Sequence, residues 1–230
     1  NNKRKIITIF GKKHLDPINI NVSGDPSSSA FFTALTILNK NSYLKIKNVG
    51  LNPTRTGFYQ ILKKQKVKLK FLNVKKENNE IRGDIIVKSC NLKPIRTPSH
   101  MYPSTADEFP ILFVMAALIK GVSVFKGISD LANKESNRIT EMQKILKQVG
   151  IKSIYSGDEL KIFGKGLFDG SSKKIFVPNL SDHRICMSTL ILAVLIGATA
   201  TIKNFSTVNT SSPSFLKLIR YLGVKFEIQK

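Results

Sequence analysis

An internal repeat with a period of just under eighty residues restricts what this 230-residue chain can fold into more than any other feature. An aspartate-headed apolar segment occurs three times. Gly24-Asp25-Pro26-Ser27-Ser28 opens a run to Leu38, Ala106-Asp107-Glu108-Phe109-Pro110 opens one to Ile119, and Ser181-Asp182-His183-Arg184 opens one to Ile196. A short β-pattern follows each run, at 43–48, 122–126 and 200–204, and after a loop comes a second, amphipathic segment. These segments close on similar phrases: Gln65-Lys66-Val67-Lys68, Val149-Gly150-Ile151-Lys152 and Leu222-Gly223-Val224-Lys225. Ile9-Phe10-Gly11-Lys12 also recurs, as Ile162-Phe163-Gly164-Lys165.

A period of this length denotes stacked supersecondary units, none of which buries its apolar face alone. Apolar spacing of 3.6 residues on some segments and of two on others predicts helix, strand, helix, strand, strand in each unit. Three copies predict an α/β fold with a pseudo-threefold arrangement, helices packed with mixed sheets. The units run over about 17–90, 91–165 and 166–230. Residues 4–10 read as a strand that closes a further unit, so 1–16 is expected to be a terminal strand and crossover belonging to a missing preceding lobe. The third unit reads as lacking its last strand.

Pseudo-equivalent units place their helix starts at comparable positions, so Asp25, Asp107 and Asp182 are expected to share one face. Capping alone would account for an aspartate there, at about 0.5–2 kcal/mol each, and Asp25 followed by Pro26 fits it best. Ser212-Pro213 suggests the same arrangement at another helix start. Capping does not account for His183 and Arg184, because a cation at a helix N-terminus opposes the macrodipole unless an anion sits there too. The second unit adds Asp130, Lys134, Glu135 and Arg138. Glu135 and Arg138 have the spacing of an ordinary surface pair, whereas Lys134 and Arg138 would be like charges one helical turn apart. Arg55, in Asn52-Pro53-Thr54-Arg55-Thr56-Gly57, occupies the matching loop of the first unit. Guanidinium groups bind carboxylate and phosphate bidentately, and carboxylates among cations serve best as bases or proton relays. The set suits a polyanionic substrate. No nucleophile elbow or phosphate-binding loop is present.

Charge bears on the choice of partner. Lys and Arg number 37 against 15 Asp and Glu, a net charge of +22, with a pI near 10.1. Thirty of the basic residues are lysines spread along the whole length, with no RNA-binding aromatic motif, zinc finger or basic zipper beside them. Nucleic acid is therefore a weaker expectation than anionic small molecules. The apolar stretch 185–202 is divided at Gly197 and falls short of the ~20 residues of a membrane span. Two cysteines, Cys90 and Cys186, form no disulfide framework, and His183 and Cys186 lack the further ligands of a zinc site.

Five motifs in order carry a resemblance: 24–32, 50–57, Asp107-Glu108-Phe109-Pro110, 131–138 and Asp182-His183-Arg184-Ile185-Cys186-Met187. In order and spacing they resemble the C-terminal half of the 5-enolpyruvylshikimate-3-phosphate synthase family, from about residue 17 onward. The resemblance implies one lobe of a two-lobed enzyme that moves the enolpyruvyl group of phosphoenolpyruvate to the 5-hydroxyl of shikimate 3-phosphate. It implies no metal and no cofactor, a cytoplasmic location, and a monomer when complete. It further implies that Asp107, Glu135 and Lys134 are catalytic, that Arg138, Arg184 and His183 bind phosphoenolpyruvate, and that Asp107, Lys134 and Asp130 bind shikimate 3-phosphate. The chain departs from the family pattern at Ala132, Asn133 and Asn137 around the Lys-Glu pair, and at Thr210 and Ser212 near the C-terminus. With the preceding lobe missing, half an active site and negligible turnover are expected of the chain alone. The rival readings are an enolpyruvyl transferase acting on UDP-N-acetylglucosamine and a basic repeat domain binding nucleic acid.

Overall fold

The computed structural model describes residues 6–12, 14 and 16–228. In the first unit, helix α1 (Pro26–Leu38) leads to strand β1 (Tyr43–Gly50), helix α2 (Gly57–Lys64) and a hairpin of β2 (Leu69–Glu77) and β3 (Glu80–Lys88). The second unit adds a short strand, β4 (Arg96–Thr97), before α3 (Phe109–Ala117). It continues through β5 (Gly121–Lys126), α4 (Arg138–Gln148), β6 (Lys152–Ser156) and β7 (Glu159–Gly164). The third consists of β8 (Lys174–Val177), α5 (His183–Ile196), β9 (Thr199–Ile202) and α6 (Phe215–Tyr221).

The repeat governs the sheets. The first is ordered β1-β3-β2, and the second repeats that order as β5-β7-β6 with β4 added beside β5. Within both, the hairpin strands pair antiparallel. The strand after each first helix also pairs in parallel with the segment before it: Gly24 with Val49 as a single bridge, β4 with β5, and β8 with β9. The third sheet has only these two strands among the described residues, and residues 224–228 form no sheet. Of the strand expected over 4–10, residues 4 and 5 lie outside the described residues. Residues 6–10 pair with nothing, and Ile6, Ile7, Ile9 and Phe10 are all exposed. Residues 6–10 therefore add no strand to the three sheets of the described residues.

The core lies where the first helices of the three units meet, α1, α3 and α5 packing on one another. All nine residues of α3 are buried, as are ten of thirteen in α1 and ten of fourteen in α5. A helix apolar on every side belongs in an interior, and each large apolar side chain buried there stabilises by about 1.5–3 kcal/mol. The amphipathic α2 and α4 lie outside them, burying one face each. The run 185–202 resolves into α5, a left-handed Gly197 (φ 73°) that ends it, and β9. No helix among the described residues is long and apolar enough to cross a membrane. Ser212-Pro213 does not cap α6: the helix begins at Phe215 after Ser214, and Ser212 is buried, its carbonyl accepting from the Phe215 amide.

Candidate active site

Three helices that pack together bring their N-termini to one face, but the three aspartates there behave differently. Asp25 caps α1, accepting from the amides of Ser27 (3.2 Å) and Ser28 (2.8 Å), with Pro26 in the first turn. Asp182 caps α5 through the amides of Arg184 (3.0 Å) and Ile185 (3.4 Å). Asp107 caps nothing. A 3-10 turn over Ala106–Glu108 precedes α3, which starts at Phe109 without a side-chain cap. The carboxylate of Asp107 is thereby left to guanidinium groups alone: Arg184 Nη2 at 3.1 Å, Arg55 Nη2 at 3.6 Å and Arg138 Nη1 at 3.6 Å.

Arg138 is the hub. Its side chain is fully buried, which a guanidinium tolerates only when charge and donors are matched. Nε donates to Asp182 Oδ2 at 2.9 Å and Nη2 to Glu135 Oε2 at 2.5 Å, while buried Nη1 has no hydrogen-bond acceptor. Ser136 Oγ donates to the same Asp182 oxygen at 2.9 Å. Burial would raise the affinity of Asp182 for a proton. The charge and hydrogen bond of Arg138, with Ser136 and the Ile185 amide, outweigh that and hold the carboxyl below its usual range. The Glu135–Arg138 contact is thus no solvated surface pair. Nor are Lys134 and Arg138 stacked on one helix: α4 begins at Arg138, and Lys134 is extended and reaches Asp130 at 3.3 Å.

The cation at the start of α5 also has its anion. Arg184 points away from the helix axis to Asp107, contacting its carboxylate and donating to its carbonyl at 3.3 Å. His183 is half-buried with Nε2 unpartnered, and burial followed by the nearby Arg184 lowers its proton affinity, leaving it neutral at pH 7. Asp130 accepts from Tyr102 Oη at 2.7 Å, and that bond, together with Lys134, keeps its carboxyl low. Glu108, by contrast, is buried, and burial raises its pKa to about 7. Cys186 is a buried thiol pushed up to about 12 by desolvation. Asn137 caps α4 by accepting from the Thr140 amide at 3.0 Å, a role that asparagine and aspartate fill equally. Ala132 and Asn133 lie in the 3-10 turn before it, and Thr210 is exposed at the end of a turn packed on α5.

The cluster is an open rim. Asp107 and Lys134 keep 32% of their side-chain surface, Glu135 46%, Arg55 51% and Asp130 57%, so each is a third to just over half exposed to solvent. Such a rim can neutralise a polyanion and exchange protons with it, but does not enclose it.

The model for EPSP synthase (3-phosphoshikimate 1-carboxyvinyltransferase) matches residues 1–219. The chain belongs to the EPSP synthase family. It is 38% identical over 227 residues to a 3-phosphoshikimate 1-carboxyvinyltransferase of Zymomonas mobilis, and 38% identical over 206 residues to one of Petrotoga mobilis. Those alignments cover 97% and 90% of this chain but 50% and 47% of the relatives. An EPSP synthase of Acinetobacter baumannii superposes with a TM-score of 0.82 at 34% identity, over 91% of this chain and 48% of that one. The enolpyruvyl transferase NikO of Streptomyces tendae shares the fold at 12% identity and a TM-score of 0.58. The chain spans about half the length of the EPSP synthase relatives it matches.

Within this member of the EPSP synthase family, the residues singled out in the sequence converge: Asp107, Glu135, Arg138 and Arg184 are joined through Arg138 and Asp107, with Lys134, Asp130 and His183 beside them. Sequence reasoning missed Asp182 as counter-ion to Arg138, Tyr102 as partner of Asp130, and the burial of Glu108. Asp182 carried a signal, since it heads its helix as Asp107 does; Tyr102 and Glu108 carried none.

Proposed function

We propose that this chain is one half of an enzyme that transfers the enolpyruvyl group of phosphoenolpyruvate to the 5-hydroxyl of shikimate 3-phosphate and releases phosphate, working in the cytoplasm. The observation that carries the reading is an uncapping aspartate, Asp107, ringed by Arg55, Arg138 and Arg184. A carboxylate spared from capping is free to accept or orient the attacking hydroxyl. Glu135 handles the proton at the methylene carbon, and Lys134 contacts shikimate 3-phosphate and assists transfer, with Asp130 placing it. Arg138 and Arg184, with neutral His183, hold phosphoenolpyruvate; the unfilled Nη1 of Arg138 is the donor it completes. Addition followed by elimination needs this mixture, because charge and protons are handed to and from one carbon centre. The reaction requires no cofactor in this scheme.

The test is phosphate release from phosphoenolpyruvate and shikimate 3-phosphate, by the chain alone and after mixing with the lobe that its relatives carry and this chain does not span. Turnover is expected only in the mixture. Asp107→Asn and Glu135→Gln should each lower kcat by about 10²–10⁴ there. Full turnover with either variant, or preferential use of UDP-N-acetylglucosamine as acceptor, overturns the proposal.

A further inference from the structure

Two guanidinium groups share one oxygen of Asp107. Arg184 Nη2 lies 3.1 Å from Oδ2 and Arg55 Nη2 3.6 Å from it, while Arg138 approaches the other oxygen. Arg138 is fixed by Asp182 and Glu135, and the proposed chemistry assigns Arg138 and Arg184 to phosphoenolpyruvate. Arg55 has no assigned task. Its backbone is held in a 3-10 turn over Pro53–Arg55, where Asn52 Oδ1 accepts from the Thr54 amide at 3.1 Å and from its hydroxyl at 2.8 Å, and the Arg55 amide donates to the Asn52 carbonyl at 2.9 Å. Its side chain is anchored from α1. Nη2 donates to Ser27 Oγ at 3.1 Å, Ser27 being fully buried in the first turn of that helix, and Asp25 Oδ1 lies 3.8 Å from the same nitrogen. One nitrogen thus ties the starts of α1 and α3 together at the edge of the rim, and half of the side chain stays exposed, so it has room to follow the carboxylate.

We propose that Arg55 is a positioning residue for Asp107, closing on Oδ2 when Arg184 leaves it for an incoming anion. The proposal rests on the enolpyruvyl-transfer reading. Two cations crowding one carboxylate oxygen repel each other, so withdrawal of one tightens the hold of the other. In the free rim Arg184 is engaged by Asp107 through both its carboxylate and its carbonyl. Phosphoenolpyruvate must break that contact, and an arginine already anchored beside the same oxygen replaces most of what is lost. A guanidinium suits the task because its rigid fork presents several donors at once, one to Ser27 and another to Asp107. Arg55 therefore eases the departure of Arg184 and then keeps the carboxylate aimed at the attacking hydroxyl, without touching the reacting atoms.

In the mixture of this chain with the complementary lobe, kcat and the KM for phosphoenolpyruvate are measured for the parent, Arg55→Met, Ser27→Ala and the double variant. Methionine keeps much of the apolar stem and removes every donor. Arg55→Met should lower kcat about tenfold and raise the KM for phosphoenolpyruvate several-fold, the scale of one charge-assisted hydrogen bond. Ser27→Ala removes only the anchor, since Asp25 caps α1 through the residue 27 amide, which alanine retains, and should move both constants the same way by less. The double variant should match Arg55→Met alone, because an anchor has nothing to hold once the guanidinium is gone. A residue that only binds substrate would raise KM with kcat intact, and one that only braces the fold would lower the unfolding midpoint with both constants near parental values. Either result, or additive losses in the double variant, overturns the proposal. Loss of turnover in Asp107→Asn with parental kcat in Arg55→Met would sink this inference alone, whereas full turnover in Asp107→Asn would sink the reading it rests on.

Discussion

Asp182 is at once a helix cap and the counter-ion of a buried arginine, and one substitution separates the two roles. Asparagine caps as well as aspartate does but brings no charge. Asp182→Asn should keep α5 intact and leave Arg138 buried with Glu135 and the more distant Asp107 as its remaining carboxylates, costing about 3–5 kcal/mol in a urea titration. A loss below about 1 kcal/mol would show that those two suffice to hold the guanidinium. The acid limb should change as well. The folded Asp182 carboxyl binds its proton less tightly than the unfolded one, so its contribution is present above about pH 4 and lost as pH falls through its lowered folded value. The variant should show a shallower decline there. Little of this could be read from the chain in linear order. Arg138 after Glu135-Ser136-Asn137 has the spacing of a surface pair, and its main partner lies 44 residues away on another helix. The repeat made Asp107, Arg138 and Arg184 legible as a group; their burial depends on packing that no local pattern encodes.

Between elements, the rim depends on how closely α2 seats against the turn that precedes α3. A side chain on Gly57 would place its Cβ 2.0 Å from Thr105 Oγ1, 2.4 Å from Ser104 Oγ and 2.6 Å from the Ser104 carbonyl. Backbone is among the obstacles, so Gly57→Ala must push α2 outward and carry Arg55, two residues earlier, off Asp107. The expected cost is about 1–3 kcal/mol in stability, with a fall in kcat/KM of the assembled enzyme; an unchanged urea midpoint would contradict that seating. At the far end of α5, Gly197→Ala should cost about 1 kcal/mol in the same titration, because a Cβ is disfavoured at φ 73°. At this scale the sequence was informative. The apolar helices, the strands after them and the hairpins of the first two units all follow from spacing. The 3-10 turn before α3 and the two-residue β4 do not, since Asp107-Glu108-Phe109-Pro110 reads equally well as an ordinary helix start. That difference separates a capping aspartate from a free one.

For the molecule as a whole, the net charge of +22 is a field before it is a contact. On the proposed reading, anionic substrates approaching the rim should be steered toward it, so kcat/KM of the assembled enzyme should fall several-fold between 50 and 500 mM salt, roughly as screening shortens from ~14 to ~4 Å. A flat salt dependence would mean that lysines remote from the rim take no part in capture. The third sheet bears on handling. Its two strands stand where the other units have three and four, and unpaired backbone at a sheet margin is a template for any extended segment that meets it. Mutual repulsion keeps copies of so cationic a chain apart in dilute buffer. Purified alone, the polypeptide should stay clear at low ionic strength and turn cloudy as salt is added, the reverse of ordinary salting-in, and a peptide fitted to that open seam should keep it in solution.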